Sequence, residues 1–335
     1  MNNTQDNFIS GIGNTPLIKL RAASEITGCN IFGKAEFLNP GGSVKDRAAL
    51  ALIKDAQEKK LISKGGTVVE GTAGNTGIGL GLLGNSLGYK TIIVMNDSQT
   101  QEKKDLLKNL GAELRLVPAK PYKDDNNYIK VAARLADELR PSNNNGVVWA
   151  NQFDNVANAK AHYNTTGPEI WEQTEGIIDG FVCSSGTGGT ISGCCEVIKP
   201  KKPEFQAIAV EPTDSPVISQ QIAGEELTPG PHKIQGTGAG FIPGNLHLNN
   251  PDSGNEQISE CVKVSNDDAF AMARRIAAEE GILVGISTGA NVCAALEIAK
   301  RPENNGKFIV TIGCSTGERY LSTPLADEAR ASVDA

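Results

Sequence analysis

A chain of 335 residues, 39% hydrophobic and 21% charged, is long enough for two domains with real cores. Its net charge of −7 argues against nucleic acid or an anionic membrane as a partner. Aromatic residues are scarce at 5% and glycine is abundant at 37 residues, a balance that suits α/β loops better than a β-sandwich.

From the N-terminus, Met1 to Ser10 is polar and lacks the basic-then-apolar pattern of a leader. No apolar run reaches membrane-spanning length, so the chain is expected to be soluble and cytoplasmic. Ile12 to Leu17 reads as a turn and a short apolar segment, and Asn30 to Glu36 as a strand. Asn39-Pro40-Gly41-Gly42 is a turn signal running into a helix that ends near Leu61, with Ala48, Ala49, Leu52, Ile53 and Ala56 at helical spacing. Lys45 therefore stands at a helix start, where the helix dipole disfavours a cation and lowers the amine's pKa. A neutral amine is the form that attacks carbonyl carbon.

Thr67 to Glu70 reads as a buried strand ending in Gly71-Thr72-Ala73-Gly74-Asn75-Thr76-Gly77, followed by a helix to about Leu87. Strands at Thr91–Met95, Ala112–Val117 and Val147–Ala150 alternate with helices at Gln101–Leu110 and Asn127–Leu139. A second run has a helix at Pro168–Thr174, a strand at Gly180–Cys183, a glycine-rich loop, a helix to about Ile198 and a strand at Gln206–Val210. Residues 228–256 form a long irregular segment, and loops that long in a compact domain are usually functional. Asp267–Glu280 and Val292–Ala299 read as helices and Phe308–Ile312 as a strand. The alternation marks an α/β chain with parallel sheets covered on both faces.

Two of the loops carry chemistry. Gly186-Thr187-Gly188-Gly189-Thr190 joins a strand to a helix, so backbone N–H groups can converge on an anion at the helix N-terminus. It contains no Lys or Arg, so a phosphate there would be held by dipoles and hydrogen bonds; a Walker loop is absent. Thr72 to Thr76 has the same logic and would suit a carboxylate. Gly79-Leu80-Gly81-Leu82-Leu83-Gly84 spells a dinucleotide fingerprint, with Asp97 near the expected distance for a ribose-binding acid. But that fingerprint needs its first glycine right after the strand, and here the glycines fall inside a helix. They are expected to let that helix pack closely, and an NAD enzyme is the weaker alternative. Seven cysteines with no Cys-x-x-Cys pair suggest a reduced intracellular protein without a zinc site. His162, His232 and His247 lack metal-ligand spacing and are expected on the surface or in hydrogen bonds, so no metal is expected.

Together these pieces resemble the pyridoxal-phosphate enzymes of fold type II, the tryptophan synthase beta-like family, and within them the cysteine synthases (O-acetylserine sulfhydrylases). The resemblance covers Ile12 to Thr323. It is carried by Gly13-Asn14-Thr15-Pro16-Leu17, Ser43-Val44-Lys45-Asp46-Arg47, Gly74-Asn75-Thr76-Gly77, Thr166-Gly167-Pro168-Glu169-Ile170-Trp171 and Gly186 to Thr190. Val210 to Pro216, Gly230 to Gly236, Gly240 to Gly244 and Gly317 to Ser322 look like cysteine synthase in particular.

The resemblance implies two doubly wound domains, each a mostly parallel sheet flanked by helices, with pyridoxal 5'-phosphate in the cleft between them. Lys45 would carry the cofactor and shuttle the Cα proton. Asn75 would bond the cofactor's ring oxygen, Gly186, Thr187, Gly188, Gly189 and Thr190 its phosphate, and Ser287 would face the pyridine nitrogen. A serine there makes a milder electron sink than an aspartate and favours β-replacement over transamination. Thr72, Ala73, Gly74, Thr76 and Gln152 would bind the substrate carboxylate, with Gly236 beside the substrate. The implied reaction replaces the acetoxy group of O-acetyl-L-serine by sulfide, through an α-aminoacrylate, giving L-cysteine and acetate.

Ala73 stands where many members have Ser, which removes one hydroxyl donor and bears on substrate choice. Gly313-Cys314-Ser315-Thr316 also departs from the usual Pro-Ser-Ser; Cys314 is expected to pack, and Arg319 and Tyr320 to tie down the C-terminus. Cystathionine β-synthase chemistry with serine and homocysteine, and O-phosphoserine as donor, are alternatives. A further one is a catalytically weak sensor that binds the C-terminal tail of serine acetyltransferase. The expected division is 1–40 plus 155–335 as the larger domain and 41–154 as a smaller mobile one. A homodimer is implied by the resemblance.

Overall fold

The structure, a computed structural model, describes residues 7–333. Of the polar N-terminal stretch, Met1 to Asp6 lie outside the described residues. The first part of the chain gives β1 (Leu17–Lys19), α1 (Arg21–Thr27) and β2 (Asn30–Lys34), then α2 (Lys45–Glu58). Next come β3 (Thr67–Gly71), α3 (Asn75–Leu87), β4 (Lys90–Asn96), α4 (Gln101–Asn109), β5 (Glu113–Val117), α5 (Tyr128–Leu139) and β6 (Val147–Trp149). The second half holds α6 (Ala157–Asn164), α7 (Thr166–Gln173), β7 (Gly180–Ser184), α8 (Gly189–Ile198), β8 (Gln206–Pro212) and α9 (Val217–Ala223). It ends with β9 (Glu260–Val264), α10 (Asn266–Glu280), α11 (Ile286–Ala299), β10 (Phe308–Ile312) and α12 (Asp327–Val333).

The strands form two sheets. One has the order β5-β4-β3-β6 and is wholly parallel. The other has the order β1-β2-β10-β7-β8-β9 and is parallel except for the β1–β2 pair. All five residues of β3 are buried, as a strand covered on both faces requires. One core lies between α2, α3 and β3, built on Ala49, Leu52, Ile53, Val68, Leu80 and Leu83, and Phe8, Ile9 and Ile12 pack against it. The larger sheet has a core on each side, one under α10 and α11 and one under α7 and α8.

The helix that begins at Asn75 contains all six residues of the fingerprint-like stretch. A Cβ on Gly79 would lie 3.0 Å from the Ala49 Cβ on α2, and one on Gly84 2.5 Å from the Thr91 hydroxyl on β4. These glycines serve close helix packing, as expected of a stretch displaced from the turn.

Three differences from the sequence reading have physical causes. The last large helix starts at Ile286, not Val292. The sequence reading assigns Ile286 to Asn291 no element, and every one of these residues is buried against neighbouring elements, which overrides the low helix propensity of Ser287, Thr288 and Gly289. Helix α6 was not legible, because Ala157 to Asn164 is small and polar with little apolar periodicity. Strand β9 follows the long irregular segment and pairs with β8 at the sheet edge.

Candidate active site

Three quoted motifs that lie far apart in sequence meet at one buried ionic cluster. Arg47, two residues after Lys45, donates from Nε and Nη2 to the Glu36 carboxylate, both at 2.8 Å. Its Nη1 and Nη2 also donate to Glu169, at 2.6 and 2.8 Å. Lys34 Nζ reaches Glu169 at 2.6 Å, the Thr15 hydroxyl donates to Glu36 at 2.6 Å, and Asn14 N–H donates to Glu169 at 3.0 Å. The GNTP turn, the start of α2 and helix α7 are thereby fastened together, and Lys45 is carried on that anchor.

Lys45 opens onto a cavity of about 390 Å³ between the two sheets. Burial pulls its pKa down, which favours the neutral amine. Thr72, Ala73, Gly74, Asn75, Thr76 and Gln152 line the same cavity, as do Gly186, Thr187, Thr190, Gly236 and Ser287. Gly188 and Gly189 do not; they start α8 instead, Gly188 at φ +83 where a Cβ would lie 2.5 Å from the Leu246 Cα, and Gly189 where a Cβ would lie 2.5 Å from Asn158 Oδ1.

Both loops expected to hold anions present open donors. Helix α8 begins without a side-chain cap, and the N–H groups of Gly186, Thr187 and Gly188 have no acceptor among the described residues. Helix α3 also begins uncapped, after Gly74 at φ +134. Unpaired donors at a helix start favour negative charge. Among the described residues no Asp or Glu lines the cavity. A phosphate at the head of α8 and a carboxylate at the head of α3 fit these features, and Lys45 supplies the amine that a pyridoxal aldehyde needs.

Supporting residues emerge only in three dimensions. Asn158 Nδ2 donates to the Thr187 hydroxyl at 2.9 Å and to the Gln152 carbonyl at 2.8 Å. His162 is buried, with Nε2 3.2 Å from the Thr190 hydroxyl and Nδ1 2.9 Å from that of Thr166. Burial pushes its pKa well below the usual value, so it is neutral. His232 and His247 are hydrogen-bonded too, to the Gly238 carbonyl and to Glu196. Thr76 donates to Gln152 Oε1 at 2.6 Å, which fixes the Gln152 amide at the 72–76 loop.

The C-terminal turn reaches the site. Tyr320 and Arg319 are both buried and clamp Asn75: its Nδ2 donates to the Tyr320 oxygen at 3.1 Å, and Arg319 Nη1 donates to its Oδ1 at 3.0 Å. Cys314 lines the cavity, with its thiol beside Ser287 and its pKa raised by burial. Strand β10 ends at the cavity floor, so the residue two positions on faces the site. Lys103, on α4, was not singled out by sequence because it sits in an ordinary charged stretch. It is 2% exposed and lines the cavity. Among the described residues no group of His, Cys, Asp and Glu could hold a metal ion, and no helix is long and apolar enough to cross a membrane.

Residues 9–315 match the family described as "Pyridoxal-phosphate dependent enzyme". The chain is 46% identical to a cysteine synthase of Staphylococcus aureus, over 96% of each chain. It is 44% identical to cysteine synthase A of Escherichia coli, over 96% of this chain and 95% of that one. It also superposes on the crystal structure of a hydrogen sulfide-producing enzyme from Fusobacterium nucleatum, with a TM-score of 0.84 and 38% identity, covering 95% of this chain and 100% of that one.

Proposed function

The chain belongs to the pyridoxal-phosphate dependent enzyme family, and from that premise we propose that it is a cysteine synthase, a transferase that exchanges the acetoxy group of O-acetyl-L-serine for sulfide. The observation that carries this reading is the convergence of Lys45, an uncapped α3 and an uncapped α8 on one cavity free of acidic side chains.

The α8 loop would hold the cofactor's phosphate through the open N–H groups of Gly186, Thr187 and Gly188, with the hydroxyls of Thr187 and Thr190 fixed by Asn158 and His162. Asn75, immobilised by Arg319 and Tyr320, would meet the ring oxygen, and Ser287 the ring nitrogen. Bound pyridoxal phosphate supplies the electron sink for a carbanion at the substrate's Cα. The head of α3, with Thr72, Ala73, Gly74, Thr76 and Gln152, receives the substrate carboxylate and orients Cα toward Lys45. Neutral Lys45 Nζ takes the Cα proton as acetate leaves Cβ, and returns it to Cα after sulfide has added at Cβ. Gly236 leaves room there: its nearest neighbour in the direction of a Cβ is the Ser287 hydroxyl at 3.8 Å.

The four-stranded sheet with its helices, residues 41–154, would move as the smaller domain and close the cleft when a carboxylate reaches α3. A homodimer is the expected assembly, supported by family membership. The seven free thiols favour a reducing cytoplasm. The C-terminal tail of serine acetyltransferase is a further candidate ligand of the cleft, its terminal carboxylate taking the place of the substrate's. The test is the visible absorbance of the holoenzyme. O-acetylserine should shift the cofactor band and sulfide should restore it, with cysteine formed. A band that ignores O-acetylserine but responds to serine would transfer the assignment to cystathionine β-synthase chemistry.

A further inference from the structure

Lys103 is a fully enclosed cation that makes no salt bridge among the described residues. Its Nζ donates to Gln235 Oε1 at 2.5 Å and to Gln99 Oε1 at 3.4 Å, both neutral, and lies 4.7 Å from the centre of the Tyr320 ring. Its stem runs directly behind Gly74: a Cβ on that glycine would lie 2.5 Å from Lys103 Cδ and 3.2 Å from Cε. The charged groups around it are few. Arg319 and Tyr320 face it from the C-terminal turn. On its own helix Glu102 is bonded away to Ser322, and the 72–76 and 235–237 loops contribute no titratable side chain. Lys120 adds a second cation to the cavity wall. A buried ammonium is costly unless a negative charge meets it.

We propose that Lys103 is a specificity-determining residue for the substrate carboxylate: its ammonium, set behind the Gly74 turn and tied across the cleft to Gln235, supplies the positive charge that the 72–76 loop lacks. The proposal rests on the reading of that loop as the carboxylate site. The loop offers dipoles only, and Ala73 has no hydroxyl to add. Burial and the nearby Arg319 bring the Lys103 pKa down to about 7 in the empty cleft. A carboxylate arriving there favours the protonated form, so binding draws a proton to Lys103 at and above neutrality. The same bond to Gln235 places the charge beside Gly236, so one residue links both walls around the substrate.

The test uses the holoenzyme and two unreactive ligands differing in one charge, L-alanine and L-alaninamide, titrated by calorimetry. The quantity read is the ratio of their affinities, corrected for the ligands' own amines. In the wild type at about pH 6 the carboxylate should be preferred, and Lys103→Gln should shrink that ratio by about tenfold, the equivalent of ~1.4 kcal/mol. Lys103→Arg should retain it. The wild-type ratio should also fall between about pH 6 and about pH 8.5 as Lys103 loses its proton. An unchanged ratio in Lys103→Gln overturns the proposal. If that variant does not fold, a wild-type ratio that stays constant with pH overturns it instead. A wild type that never distinguishes the two ligands brings down the carboxylate-loop reading itself, and the proposal with it.

Discussion

Replacing Arg47 by Met removes the centre of the ionic cluster that anchors α2. The guanidinium makes four hydrogen bonds to carboxylates, two to Glu36 and two to Glu169, at 2.6–2.8 Å, and a fifth to the Thr15 hydroxyl at 3.2 Å. The Arg47 side chain is 2% exposed and that of Glu36 0%, so water cannot replace the lost partner. Breaking one side of a buried pair typically costs about 3–5 kcal/mol, because the remaining charge stays buried and uncompensated. Lys34 still faces Glu169 and Thr15 still faces Glu36, which keeps the expected loss inside that range. In the wild type Arg47 and Lys34 hold Glu169 at about 2, against 4.5 when unfolded. Its contribution is therefore present above the unfolded pKa and lost as pH falls through about 2. Without Arg47 the Glu169 carboxylate protonates more readily in the folded state. The deficit should be full near pH 8 and smaller near about pH 5. Urea unfolding of wild type and Arg47→Met at both pH values reads it. A loss under about 1 kcal/mol, or one that is the same at both pH values, refutes the reasoning.

Lys45→Ala should abolish cysteine formation while leaving the far-ultraviolet circular dichroism unchanged; substantial residual turnover would remove Lys45 from the proton-transfer role. Gly188→Ala places a side chain at φ +83 and 2.5 Å from Leu246 Cα and Cβ, so it should lower both stability and cofactor affinity. Equilibrium dialysis against pyridoxal phosphate checks this, and unaltered affinity would count against the α8 loop as the phosphate site. Glu70 is buried on β3, one of its carboxylate oxygens has no hydrogen-bond partner among the described residues, and burial pushes its pKa up to about 8. Because the folded pKa lies above the unfolded 4.5, wild-type stability should decline as pH rises between those values. Glu70→Gln should remove that decline, so its stability relative to wild type should rise with pH up to about 8; a gap independent of pH would show that Glu70 is not neutral in the fold.

Strands and helices around the two glycine loops were legible because each depends on neighbours in sequence. Thr67 to Gly71 is a continuous buried run, and the glycines after it and after Ser184 are needed where backbone turns sharply into a helix. The rejected dinucleotide fingerprint was legible on the same ground, since spacing alone put Gly79 to Gly84 inside α3. Helix α6 and strand β9 were not, because Ala157 to Asn164 lacks an apolar stripe and β9 is recognisable chiefly by its partner, β8.

By itself, then, the sequence determined the α/β class, the lysine at a helix start and the two glycine loops that open helices, all consequences of local backbone geometry and residue size. Only the tertiary structure decided which groups serve them. Asn75 is clamped from 244 and 245 positions away by Arg319 and Tyr320, Thr190 is met by His162, and Lys103 lies behind Gly74. Nothing in Gln101 to Lys108 separates Lys103 from its half-buried neighbour Lys104, because a charge becomes costly, and so chemically useful, only when distant elements close over it.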